Sequence, residues 1–391
     1  MISAHAYPWD VLGDAGFADR VIASGADAVR LAVTYHSTRA ATPLHPTRRF
    51  VEAPHAALYR PVRPSSWAGR RLVPVAAQWT EGPDPAGSAT HALGRAGIPV
   101  DAWLVLAHNT RLGTAHPDLT VTNCFGESYP YALCPASEEV RDHCATLAAE
   151  ALHDLPVRGV VLESAGQMGA AHLGCHEKTD DAYPSTALRA LSVCCCPGCQ
   201  RRWQARGLEP GHVQHQLRRA VDTDEWVPEA VASELLAVRQ DSADELRGQV
   251  IAVLRQTVPG ASITLAGHPD PWATGSSPGL TPRACAEVDA VQVPCWSVAA
   301  RTADLVRTVR AHAAAAPPPH VAPPGRAADG SGRPLVDAYV TVLPPVDPEA
   351  LPDHVRRLRA AGADRLSLYH LGLASRRRQP LLAVLAKEFR A

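Results

Sequence analysis

The chain alternates short apolar segments with longer segments whose apolar residues recur every three or four positions. Short runs rich in β-branched residues predict buried strands, and the longer period predicts helices that bury one face. Val140, Cys144 and Leu147, for example, share one helical face. Eight strands are predicted in this way, at residues 2–7, 28–35, 99–107, 157–162, 262–266, 289–293, 336–343 and 363–368.

Eight strands separated by helices match the count of a (β/α)8 TIM barrel, an α/β fold. The strands are short and mostly apolar, as parallel strands buried on both faces usually are. An open, doubly wound sheet is the alternative, but it normally carries a Gly-rich turn after the first strand, and this chain has none there. We therefore predict a single (β/α)8 barrel over residues 1–391.

Three connections are longer than the ordinary links of such a barrel. Residues 164–261, between strands four and five, contain a run of cysteines and three predicted helices, so we expect a helical, Cys-rich insertion there. Residues 313–333 are rich in Ala, Pro and Gly, which predicts a flexible loop. Residues 37–80 are polar and rich in Pro and Arg, and a connection of that length is typical of a lid or rim.

Composition indicates where in the cell the protein is located and which classes of partner it binds. The formal net charge is −1, so we expect no nucleic acid and no membrane surface as partner. The first residues lack a basic stretch followed by a long apolar one, and no segment approaches 18 apolar residues, which predicts a cytoplasmic protein. Ten cysteines then indicate thiols or a metal site rather than disulfides. Composition leaves a homo-oligomer open.

Polar and aromatic residues follow the predicted strands, where a barrel carries its active site. A carboxylate, Glu163, comes directly after the buried fourth strand, where it is costly unless it has partners or a task. The other side chains at strand ends have the chemistry of a sugar-sized pocket. The predicted substrate-binding residues are His5, Tyr7, His36, His108, Asn109, His268, Trp296, Tyr369 and His370.

Two carboxylates are the predicted catalytic pair. Glu163 ends strand four and Asp270 follows strand five, so neighbouring strands would place both at the pocket mouth. Glycoside hydrolysis uses such a pair, roughly 5–5.5 Å apart in retaining enzymes and roughly 6.5–9.5 Å apart in inverting ones. We expect the shorter separation. The alternative is that Asp270, between two prolines, only shapes a turn, in which case Glu127 is the next candidate.

The cysteine run predicts a metal site. Cys194, Cys196 and Cys199 supply three thiolates in a C-x-C-x-x-C pattern, a spacing that can bind one Zn²⁺. Cys175 is the predicted fourth ligand. The alternatives for that position are Cys134, His176 and His172. A closed set of thiolates leaves no position for water, so we expect a structural rather than a catalytic zinc, with a cluster of small buried thiols as the alternative.

Four segments resemble a known group of proteins. LCPASEEVRDHCATLAAEAL, VRGVVLESAG, HEKT and CCCPGCQRRW are similar to uncharacterised bacterial barrel proteins described as hypothetical glycoside hydrolases, well over residues 133–203 and loosely elsewhere. In related amylase-like and galactosidase-like barrels, a helix like that of the first segment precedes the strand that carries a catalytic carboxylate. This resemblance implies that Glu163 is the catalytic carboxylate. The cysteine run also resembles the zinc-bound loop of a β-galactosidase family.

The sequence departs from the galactosidase pattern at two strands. No Asn-Glu pair ends strand four, and no Glu ends strand seven, where residues 341–344 stand. The amylase-like arrangement, with carboxylates on strands four and five, is therefore the better analogue.

These observations predict a glycosidase acting on a carbohydrate or glycoside, with Glu163 as nucleophile or base and Asp270 as acid. Two alternatives remain. One is a metal-dependent barrel lyase, isomerase or hydrolase that uses several strand-end histidines with Glu163 as ligands. The other is a sugar-binding pseudoenzyme, which would bind a ligand without turnover.

Overall fold

The computed structural model describes residues 1–171, 178–179, 181–316 and 333–391. Eight parallel strands form a closed barrel, because β1 pairs with β2 on one side and with β8 on the other. This confirms the predicted (β/α)8 fold. The barrel strands are β1 (Ile2–Ala6), β2 (Ala28–Tyr35), β3 (Val100–Val105), β4 (Gly159–Glu163), β5 (Ser262–Ala266), β6 (Ala290–Pro294), β7 (Leu335–Thr341) and β8 (Arg365–Tyr369).

Helices surround the barrel and cover the outer faces of its strands. Every residue of β2 and of β4 is buried, which explains why these strands are apolar along their whole length instead of alternating. The α-helices span Pro8–Val11, Phe17–Ala23, Pro85–Arg95, Thr110–Ala115, Glu138–Leu152, Ser185–Leu191, Pro197–Ala205, Pro210–Thr223, Glu229–Thr257, Ala284–Glu287, Thr302–Ala315, Leu351–Ala360 and Gln379–Arg390.

The connections differ in detail from those predicted. The described residues of the insertion after β4 form four helices where three were expected, and the last of them, Glu229–Thr257, packs along Glu138–Leu152. The long connection after β2 folds into a small antiparallel hairpin of Thr38–Ala41 and Phe50–Ala53. Of the predicted flexible loop at 313–333, the first residues end the helix Thr302–Ala315, and residues 317–332 lie outside the described residues.

A charged pair lies inside the barrel. Arg30 of β2 and Asp337 of β7 form a completely buried ion pair. Because β1 and β8 lie between these two strands, the side chains meet across the interior. Ser367 of β8 donates a hydrogen bond of 2.7 Å to the same carboxylate. This polar contact therefore links β2 to β7, which are not neighbours in the sheet.

Within the described ranges, every helix is too short or too polar to cross a lipid bilayer.

Candidate active site

Glu163 is the last residue of β4, opposite Val105 of β3 in the sheet. Its side chain is 7% exposed and accepts a hydrogen bond of 2.8 Å from the indole Nε1 of Trp103. Burial raises the pKa of Glu163 to about 7, and the hydrogen bond from Trp103 opposes that shift. A carboxyl group that titrates near neutral pH is suited to proton transfer.

Three tyrosine hydroxyl groups meet beside this carboxylate. The hydroxyl of Tyr7 lies 3.1 Å from that of Tyr35 and 3.3 Å from that of Tyr369. Burial raises the pKa of all three phenols, and the charge of Glu163 contributes to the shift at Tyr35 and Tyr369. The tyrosines are therefore neutral, and their hydroxyl groups can exchange hydrogen bonds with one another or with a bound ligand.

Four aromatic side chains cluster next to Glu163. The ring planes of Trp103 and Tyr339 are both almost perpendicular to that of Tyr369, at 88° and 89°. Trp296 is 45% exposed and stacks on Tyr369, with 5.2 Å between ring centroids. We call these four residues, Trp103, Tyr339, Tyr369 and Trp296, the aromatic box. Such walls suit the apolar faces of a sugar ring.

Two of the predicted substrate-binding histidines lie behind these rings. His5 and His370 are completely buried. The His5 ring packs against Trp103 and Tyr339, and the His370 ring packs against Tyr7 at 4.3 Å. Burial lowers the pKa of His370 to about 3, and burial followed by the charge of Arg30 lowers that of His5. Both are neutral near pH 7, and both position the aromatic side chains in this structure.

Another pair of predicted histidines extends the aromatic surface. His36 stacks on Tyr35 at 4.2 Å and on His108 at 4.4 Å between ring centroids. His108 in turn meets the edge of Tyr131. This column begins at the ring of Tyr35, and both Tyr35 and His108 within it are buried. Asn109, by contrast, caps the helix Thr110–Ala115 by accepting a hydrogen bond of 3.0 Å from the Leu112 amide.

Asp270 lies in the loop after β5 with its side chain 45% exposed. Its Oδ1 accepts a hydrogen bond of 3.0 Å from the amide of Trp272, and its Oδ2 is 3.8 Å from the guanidinium of Arg189. The Asp270 amide donates to Nδ1 of His268, which is half-buried. The carboxylate thus has a role in the turn, as the alternative interpretation anticipated. The fallback residue Glu127 is exposed.

Sequence reasoning missed several residues of this site. Trp103 and Tyr339 stand inside strands, where they are indistinguishable from core residues without knowledge of which face is inward. Asp10 was also missed: it is 3% exposed, accepts a hydrogen bond of 2.8 Å from the Tyr7 amide, and lies 3.9 Å from Nδ1 of His370. Burial raises its pKa to about 7. Its position three residues after Tyr7 was the available signal.

Four cysteines form a buried cluster apart from the aromatic box: Cys134, Cys194, Cys196 and Cys199. Their sulfur atoms all lie within 4.8 Å of one another. Cys134 precedes the helix Glu138–Leu152, and Cys196 is the residue directly before the helix Pro197–Ala205. The structure thus places Cys134, one of the alternatives for the fourth ligand, beside the three thiols, directly after the strand Ser128–Leu133. Cys175, His172 and His176 lie outside the described residues.

The cluster has dimensions that fit a metal ion. The sulfur of Cys134 is 3.7 Å from those of Cys196 and Cys199. Four sulfurs bound tetrahedrally to Zn²⁺ at about 2.3 Å lie about 3.8 Å apart. The buried guanidinium of Arg239 is close by: burial lowers its pKa to about 10, and the charges of the cysteines oppose that shift. Among the described residues, these four form the one group of His, Cys, Asp or Glu that meets metal-binding geometry.

Comparisons with known proteins relate the chain to glycoside hydrolases through its fold. An α-L-fucosidase from Paenibacillus thiaminolyticus matches with a TM-score of 0.58 and 11% identity, over 100% of this chain and 49% of its own. The glycoside hydrolase domain of PgaB (BpsB) from Bordetella bronchiseptica matches with a TM-score of 0.56 and 16% identity, over 98% of both chains. The catalytic domain of a β-amylase from Paenibacillus polymyxa matches with a TM-score of 0.55 and 12% identity, over 97% of this chain and 94% of its own.

The chain therefore spans about half the length of the fucosidase and nearly all of the other two proteins. Several β-galactosidases match as well, in agreement with the resemblance drawn from the sequence. No family model matches the sequence, and no curated protein matches it. The fold is thus that of TIM-barrel glycoside hydrolases.

Proposed function

We propose that this protein hydrolyses a glycosidic bond, with Glu163 as its nucleophile or base. The observation that carries the proposal is the buried carboxyl group of Glu163, which lies against the aromatic box at the carboxyl end of a barrel strand and whose pKa burial raises to about 7. Active sites of this fold lie at that end. The similarity to solved glycosidases adds weight at the level of the fold alone.

The second carboxylate of the proposal is Asp270, as the acid. It follows the neighbouring strand, β5, and so belongs to the same end of the barrel. In the present conformation its oxygens contact Trp272 and Arg189. A retaining mechanism is part of the proposal. It requires the carboxyl groups of Glu163 and Asp270 to lie roughly 5–5.5 Å apart during the reaction.

The metal-dependent alternative has less in its favour. Such a mechanism would need strand-end histidines gathered around Glu163 with ligand spacing. Within the described ranges, the thiol cluster alone has that spacing, and His5 and His370 are buried among aromatic rings. Carboxylate chemistry is therefore the better proposal.

We also propose that the four cysteines hold a structural zinc. Cys134, Cys194, Cys196 and Cys199 would bind it, and a complete set of four thiolates leaves no open position for substrate. The zinc would fasten the insertion to the segment before the helix Glu138–Leu152.

The glycosidase proposal is tested with a panel of 4-methylumbelliferyl glycosides and the matching free sugars. We expect the wild-type chain to cleave at least one of them. Glu163→Gln keeps the size of the side chain and removes its charge, so kcat should fall by at least about 10²–10⁴-fold. Sugar affinity, measured by calorimetry, should stay within a few-fold.

Phe125→Leu serves as the control, because Phe125 is exposed on a separate loop. Near-normal turnover by the Gln variant would place the chemistry elsewhere. Binding by the wild-type chain without cleavage of any glycoside would favour the pseudoenzyme.

A further inference from the structure

The rings of the aromatic box pack on one another, two of them at right angles to Tyr369. Trp103 and Tyr339 stand at right angles to Tyr369, with ring centroids 6.3 and 5.9 Å from it. His5 contacts all three rings, at 4.9, 4.7 and 5.9 Å. The box is thus built from fixed, mutually supporting rings.

Trp296 carries the box to the protein surface. Its ring stacks on Tyr369 and meets the edge of Tyr339, with 5.6 Å between centroids. Nearly half of Trp296 is exposed, although large apolar side chains usually avoid water. A ligand that arrives from outside therefore meets an aromatic face first.

The carboxyl group next to the box is negative and unbalanced when it is ionised. Within the described ranges, the Glu163 side chain makes one hydrogen bond, which it accepts from Trp103. Among the described residues no arginine or lysine pairs with it, and Arg30 below is committed to Asp337. Burial keeps His5 and His370 neutral. A buried carboxylate without a cation is costly, and a cationic ligand would remove that cost.

Aromatic faces and a carboxylate together form the usual receptor for an ammonium ion. The negative faces of Trp and Tyr rings attract a cation that lies against them. A neutral sugar ring would gain stacking from the same rings but nothing from the charge of Glu163.

We propose, on the basis of the glycosidase function above, that the aromatic box and Glu163 recognise a protonated amine, so that the substrate is a glycoside of an amino sugar. The ammonium group would lie against Tyr339, Tyr369 and Trp296, facing the carboxylate.

The proposal also agrees with the role given to Glu163. A nucleophile or base must be ionised, yet burial leaves this carboxyl group partly protonated near pH 7. A cation at hydrogen-bond distance stabilises the ionised form. Substrate binding would therefore bring Glu163 into its reactive state.

The first experiment isolates the charge. Choline and 3,3-dimethyl-1-butanol have the same shape and differ in charge, so both are titrated into the full chain at pH 8 by calorimetry. We expect choline to bind at least tenfold more tightly. Glu163→Gln should abolish this preference, and Trp296→Leu should weaken choline binding about tenfold. Phe125→Leu, at a residue exposed to the same degree, should change neither value.

The second experiment uses sugars as competitors against choline at pH 7. D-Glucosamine should displace choline at least tenfold better than N-acetyl-D-glucosamine, which lacks the charge, or D-glucose, which lacks the nitrogen. Equal binding of choline and its neutral isostere would overturn the proposal, as would tighter binding of N-acetyl-D-glucosamine.

The two proposals fail in different ways. Cleavage of neutral glycosides with no preference for an amine would overturn the amino-sugar proposal and leave the glycosidase intact. Selective binding of choline and glucosamine without cleavage of any glycoside would overturn the glycosidase proposal and leave the recognition of a protonated amine intact.

Discussion

Glu163 destabilises the folded protein at neutral pH. Burial raises its pKa from 4.5 to about 7, so the folded chain binds more protons than the unfolded chain between these values. The free energy of unfolding therefore falls as the pH rises through that window. Asp10, whose pKa burial also raises to about 7, acts in the same direction. A stability cost at a proposed catalytic group is typical of functional sites.

The stability of Glu163→Gln should depend on pH in a defined way. At pH 8 the wild-type carboxylate is ionised and buried, so the neutral Gln variant should be more stable by about 3 kcal/mol. At pH 4 the two chains should be equally stable, because Glu163 is then protonated. Urea unfolding at both pH values measures the difference. A variant destabilised equally at pH 4 and pH 8 would show that this carboxyl group bears no desolvation cost.

Asp270→Asn separates the catalytic from the turn-forming role of that residue. Asn retains an acceptor for the Trp272 amide but cannot donate the proton that an acid must supply. If Asp270 is the acid, kcat should fall at least about 10²-fold while the melting temperature stays unchanged. Full activity in the Asn variant would restrict Asp270 to the turn.

Only part of the site was predictable residue by residue. Tyr369 and Glu163 were found because each is the last residue of a strand, a position visible in the apolar pattern. Trp103 and Tyr339 were not, because a strand buried on both faces has no alternation to reveal which residues point inward. His5 was placed at the pocket, yet its side chain is completely buried behind the rings.

At the level of elements, the sequence predicted the strands and the local cysteine run, and it offered Cys134 as one of several alternatives for the fourth ligand. β2 and β5 match their predicted bounds, because β-branched runs of this length have few alternative structures. The C-x-C-x-x-C run is local and was recognised. Cys134 was ranked behind Cys175 because it lies 60 residues before Cys194, and its approach depends on how the hairpin before it packs.

Loss of one thiol should remove the metal and loosen the insertion. Cys196→Ser and Cys134→Ser should each contain less than one zinc per chain and melt at least roughly 5 °C lower, because structural zinc contributes to folding free energy. Cys195→Ser is the matched control: the Cys195 sulfur interacts with the Val193 carbonyl and lies outside the group of four. Elemental analysis and thermal melts give both values. A purified chain without metal whose two variants melt like wild type would contradict the zinc assignment.

At the scale of the whole molecule, the interior of the barrel contains a buried ion pair. Arg30 and Asp337 join β2 to β7 across the interior, and Ser367 adds a contact from β8. Two Arg30 nitrogens, Nε and Nη1, are buried without a hydrogen-bond partner in the described structure. The pair is therefore incompletely satisfied, a condition under which a buried ion pair contributes little net stability. We infer that the Arg30–Asp337 pair specifies the arrangement of the strands and adds little to the free energy of unfolding.

This inference predicts a particular outcome of a double-mutant cycle on the pair. Arg30→Met leaves Asp337 buried beside Ser367 with no ion partner, so the free energy of unfolding should fall by about 3 kcal/mol or more, and Asp337→Leu should be comparably harmful. The double variant should recover most of that loss, since neither charge then remains buried alone. The exposed pair of Arg70 and Asp142 provides the control, and each of its single variants should change stability by less than about 1 kcal/mol. A double variant as unstable as the sum of its parents would mean that the interior needs these charges for stability itself.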